Sequence, residues 1–97
     1  MKTHPLIRAL NAIMPKASFA VTASSQWHSM TFSGEQLTVE CTIDQHDYQK
    51  HYSGLAAILP EYEFSIAHML VADIAIVAQE NSGECITLLI EALVIYA

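Results

Sequence analysis

The chain has 97 residues, of which 53% are apolar and 14% charged, and its mean hydropathy is +0.31. That excludes a disordered tail, which needs low hydrophobicity and high charge, and two cysteines are too few for a disulfide scaffold. Four Lys and Arg stand against ten Asp and Glu, and Lys50 is the only fixed cation after Lys16, so no basic face exists for a nucleic-acid backbone.

The first element is a helix over residues 4–14. Leu6, Ile7, Leu10, Ile13 and Met14 recur with the spacing of one apolar stripe. Thr3 and His4 precede Pro5, which suits a first turn, and Pro15 stops the helix.

From Ala17 to Ile43 the period changes to two. Phe19, Val21 and Ala23 alternate with Ser18, Ala20 and Thr22. His28, Met30 and Phe32 alternate with Trp27, Ser29 and Thr31, and Leu37, Val39, Cys41 and Ile43 with Thr38, Glu40 and Thr42. A two-residue turn at Gly34-Glu35 puts glycine first, as a type II′ turn requires. That register sets His28 opposite Cys41; a Ser33-Gly34 loop keeps the same faces.

Asp44 then caps a second helix over about 45–59, with Tyr48, Tyr52, Leu55, Ile58 and Leu59 as its stripe and Pro60 at its end. Residues 62–96 form a long hairpin. A three-residue loop, Asn81-Ser82-Gly83, calls for a left-handed Gly83. If Glu80 pairs with Glu84, then Asp73 faces Glu91. One hairpin face becomes Leu70, Ala72, Ile74, Ile76 and Ala78 against Val94, Ala92, Ile90, Leu88 and Ile86. The opposite face is also largely apolar. The predicted fold is α+β: a two-layer sandwich with two helices on one face of a mainly antiparallel, four- to five-stranded sheet, in the order α-β-β-(β)-α-β-β.

The most apolar segments, 64–78 and 85–97, are shorter than the roughly 18–20 residues of a spanning helix and contain Asp73 and Glu91, so no membrane segment is expected. Arg8, Asn11 and Lys16 interrupt any signal-peptide run. The expectation is a cytoplasmic protein with Cys41 and Cys85 reduced.

Four residues are weak catalytic candidates. Asp73 and Glu91 are two carboxylates set against each other on an apolar surface, a pattern used for acid–base work. His28 opposite Cys41 suggests a base beside a thiol. Asp44, His46, Asp47 and His51 read as a capped, solvated helix start, and His68 as a core-side histidine. Zinc spacings, phosphate loops and nucleophile elbows are absent, and no cofactor is implied.

The stronger signal is surplus apolar surface. Helices can cover only one face of the sheet, leaving Met69, Val71, Asp73, Ala75, Leu89, Glu91, Leu93 and Ile95 as the expected interface of a homodimer. The expected function is therefore a small, non-enzymatic interaction or assembly protein. The alternative is a small enzyme or ligand-binding domain with a pocket between the second helix and the sheet, near His28, Cys41 and His68.

Overall fold

The computed structural model describes residues 4–97. Helix α1 spans Pro5–Ile13, and strands β1, Ala17–His28, and β2, Ser33–Asp44, follow it. A broken helical segment leads to the hairpin of β3, Met69–Ser82, and β4, Cys85–Tyr96. The sheet has four strands in the order β1-β2-β4-β3, all antiparallel neighbours. Two hairpins thus meet through their second strands, and each contributes its first strand as an edge. This is the α+β sandwich that the periodicity predicts.

The core lies between the helices and one face of β2 and β4. Leu37, Val39, Cys41 and Ile43 of β2 meet Ile86, Leu88, Ile90, Ala92 and Val94 of β4, all buried. Leu6, Ile7 and Leu10 of α1 close over them with Met14, and Tyr52, Leu55 and Leu59 complete the layer from the second helical segment. Alternate residues on both strands turn to the other face of the sheet, so β2 and β4 each bury a single stripe.

The helix expected over 45–59 is real but segmented. Asp44 caps it as predicted, its carboxylate accepting from the His46 and Asp47 N–H groups at 2.8 and 3.4 Å. The short helix α2, Gln45–Asp47, passes into a π-helical turn, Tyr48–Tyr52. Gly54 interrupts the run before α3, Leu55–Ile58, which tightens into a 3₁₀ turn at Leu59–Glu61 around Pro60. The interruption lets Tyr52, Leu55 and Leu59 all reach the core, and the Tyr52 hydroxyl accepts from the Lys16 N–H at 3.4 Å.

Three expectations about turns and register change. First, the β1–β2 loop is Ser29–Phe32, not Gly34-Glu35. His28 pairs with Ser33, and the loop is tied by the Ser29 N–H to the Phe32 carbonyl at 2.8 Å and by the Phe32 N–H to Ser29 Oγ at 3.0 Å. Two strands therefore precede the second helix, the four-stranded form of the expected order.

Gly34 consequently serves another purpose. It pairs across from Trp27, and a Cβ there would lie 2.5 and 2.7 Å from two carbons of the indole and against the Val94 carbonyl.

Second, the β3–β4 loop has two residues, Gly83-Glu84, closed by the Ser82–Cys85 pair. Gly83 has φ +62°, the left-handed value expected of it, but as first residue of a type II′ turn. Third, β3 contains register shifts at Ala72 and Val77. Asp73 consequently faces Leu93, and Glu91 faces Ala75. The bulges divide the anticipated apolar stripe: Ile74 and Ile76 point to the core side opposite Ala92 and Ile90, whereas Leu70 and Ala78 point away opposite Ile95 and Leu89.

The two glycines separate steric from conformational constraint. Gly34→Ala should cost about 3 kcal/mol, because the added methyl overpacks the indole and a central strand. Gly83→Ala should cost about 1 kcal/mol, since open space surrounds that site and only the left-handed backbone resists. Chemical denaturation of the two variants checks the ranking.

Candidate functional site

Among the described residues, Glu35 is the one charged residue drawn into the core face, 8% exposed. It shares the odd-numbered parity of Leu37, Val39, Cys41 and Ile43, and so points to the helical side near the end of β2. Its carboxylate gathers donors from three other parts of the chain. The Ser24 hydroxyl of β1 and the Tyr96 hydroxyl of β4 both donate to it, and His4 Nε2 lies 3.0 Å away.

His4 is also the N-cap of α1. Its Nδ1 accepts from the Leu6 N–H at 3.1 Å. One ring nitrogen must accept and the other must donate, which assigns the neutral Nε2–H tautomer. A single imidazole thus caps the helix and ties it to the sheet.

Burial alone would push the Glu35 carboxyl above its ordinary value of 4.5. The hydroxyls of Ser24 and Tyr96 and the His4 imidazole together outweigh burial and hold it below that value. The same contact has the opposite effect on Tyr96. Burial first, then the adjacent carboxylate, raise its phenol to about 12, so it remains a donor. All three donors converge on Glu35, which makes the cluster a clamp between α1, β1, β2 and β4. Parity with the buried residues of β2 is the signal that could have found it; reading Gly34-Glu35 as a turn concealed it.

The predicted catalytic residues do not converge. His28 is exposed and pairs with Ser33, eight positions along β2 from Cys41. Cys41 is fully buried in mid-strand opposite Phe19, and desolvation raises its thiol to about 12, away from thiolate chemistry. His68 is exposed rather than core-side. It occupies a tight turn at φ +62°, where its carbonyl accepts from the Ala97 N–H at 3.0 Å. Asp73 and Glu91 are exposed and diagonal on adjacent strands instead of opposite. Among the described residues no group of three or more His, Cys, Asp and Glu is placed to hold a metal, and no helix is long and apolar enough to cross a membrane.

The second feature is the sheet face turned away from the helices. Asp73, Ala75, Leu89, Glu91, Leu93 and Ile95 all lie on it. Met69 and Val71 do not. The bulge at Ala72 turns them to the helical side, where both are half-buried against the core. Leu70 and Ala78 take their place on the open face, Leu70 being 58% exposed. Trp27 extends the patch across β2. It stands over Gly34 and, with Ser25, Gln36 and Leu93, borders a shallow depression of about 550 Å³. Strands β1–β4 contain no Lys or Arg, so no strand residue neutralises Asp73 and Glu91 on this face.

No family model, curated protein or solved structure matches the chain.

Two predictions test these environments. A folded-state pKa held below the unfolded value makes Glu35 stabilising above about pH 4.5, and this contribution disappears as pH falls through the lowered value. Glu35→Gln should cost about 1–3 kcal/mol at neutral pH and flatten the acid limb of a stability–pH curve measured by urea unfolding. Both cysteines are free, Cys85 exposed and Cys41 buried. Alkylation of the native protein should therefore label Cys85 alone, and both thiols should react after denaturation without reductant.

Proposed function

We propose that this chain is a non-enzymatic interaction protein that assembles into a homodimer through the open face of its sheet. The observation that carries the proposal is the one-sided sandwich. Helices cover one face of the sheet, and Leu70, Ala75, Leu89, Leu93 and Ile95 lie on the other.

The overall dimensions support this reading. The chain exposes 6235 Å², whereas a typical folded monomer of this mass exposes about 5,500 Å². The excess is about 700 Å². The radius of gyration is 13.7 Å, above the roughly 12.5 Å expected for a compact chain of this length. A two-fold contact would be self-complementary, each copy offering the same strip.

Asp73 and Glu91 set the electrical character of the contact. A second copy brings its own pair of carboxylates, and like charges oppose association. The dimer is therefore held by apolar burial against repulsion, and added salt should strengthen it by screening.

Sedimentation at micromolar concentration tests the assembly. Leu93→Asp should shift the protein to monomer, while Gln49→Asp, on the exposed helical side, should not. The double variant Asp73→Asn/Glu91→Gln should tighten association several-fold. A wild-type chain that remains monomeric with this face bare would refute the reading.

A further inference from the structure

His4 makes two contacts to which a proton does opposite things. Its Nδ1 accepts the Leu6 N–H at 3.1 Å, and its Nε2–H faces Glu35 Oε1 at 3.0 Å. An imidazole has an acceptor nitrogen only while it is neutral; once protonated, both nitrogens donate. The proton that charges the ring therefore goes to Nδ1, the atom that caps α1. Nδ1–H and the Leu6 N–H are then two donors aimed at each other, and the cap is lost. The contact to Glu35 responds in the other sense, because a charged donor makes a stronger hydrogen bond to a carboxylate than a neutral one does.

The surroundings single out the imidazole as the group that changes. Glu35 of β2 faces the ring directly, and the Tyr96 hydroxyl of β4 donates to the same carboxylate oxygen. Arg8 follows one turn later on α1, its N–H bonded to the His4 carbonyl at 3.1 Å. Glu35 is held below its ordinary value and Tyr96 is raised to about 12, so neither changes charge near neutrality. Imidazole is the side chain whose charge ordinarily changes between about pH 5 and 8. The His4 side chain is 20% exposed, which opens the ring to protons from water.

We propose that His4 is a pH-sensitive latch on α1. While neutral it both caps the helix and ties it to Glu35; in mild acid it exchanges the cap for an ion pair, so the first turn of α1 loosens while the ring stays on the sheet. Leu6 and Ile7, both buried, belong to that turn, and Leu10 and Met14 hold the rest of the segment in the core. The change is local, because one contact weakens as the other strengthens. It is independent of the sheet-face dimer, since His4 and Glu35 lie on the helical side of the sheet.

Amide hydrogen exchange and the nitrogen chemical shifts of the His4 ring, measured on the wild-type chain, test the latch. The ring should be the Nε2–H tautomer at about pH 8 and the imidazolium at about pH 5. Over the same interval the protection factor of the Leu6 amide should fall about fivefold, the effect of losing an N-cap. Those of Val39 and Ile90, in the central strands, should not fall. His4→Asn supplies an acceptor that no proton removes, and should keep Leu6 protected at both pH values. His4→Ala should leave Leu6 poorly protected at both. Leu6 protection that is the same at the two pH values would overturn the proposal. So would a fall that persists in His4→Asn, an equal fall at Val39 and Ile90, or a ring still neutral at the lower pH.

Discussion

The central pairing of β2 with β4 runs from Ser33–Tyr96 to Asp44–Cys85 without a register shift. Because side chains alternate along a strand, an unbroken register places every odd residue from Leu37 to Ile43 and every even residue from Ile86 to Val94 on one side. That single apolar wall is what α1 and the broken second helix pack against. A slip of one residue would turn Leu88, Ile90 and Val94 to solvent and bring Glu91 into the core. The outer strands are less constrained, and all three bulges occur there.

Glu35 is placed by the same alternation. Its parity directs it to the helical side, and the end of the sheet supplies Ser24 and Tyr96 as neighbours. Left unpaired, a buried carboxylate would be costly; with three donors it becomes a point of attachment. His4 extends that attachment to the start of α1, so the placement of the helix depends on a polar contact at its first turn as well as on the Leu6 and Leu10 contacts deeper in. The helices leave the opposite sheet face uncovered, and β1 is an edge strand.

These two surfaces differ in their physics. The open face offers apolar area with two carboxylates that no strand Lys or Arg matches, so the association proposed for it depends on salt. The β1 edge offers main-chain groups and, over Ala23–His28, small or polar side chains apart from Trp27.

The sequence by itself determined the element types and the α+β class. Apolar spacing marks α1, the strict alternation of Leu37–Ile43 marks β2, and Asp44 marks the start of the second helix. These signals are local and repeat over several residues. It also determined that Gly83 is left-handed, since glycine in a short loop has few other uses. Only the tertiary structure decided the pairing. A short stretch such as Trp27–Phe32 alternates equally well as strand or as loop, and the clash that demands glycine at position 34 comes from Trp27 across the ladder. The bulges at Ala72 and Val77 leave no mark on an apolar run such as Met69–Ala78, yet each shifts the register beyond it. Asp73 and Glu91 therefore part, and Met69 and Val71 turn towards the core. Glu35 gains its partners from positions 31, 11 and 61 residues away. Long-range pairing decides such contacts, and periodicity within one strand does not encode it.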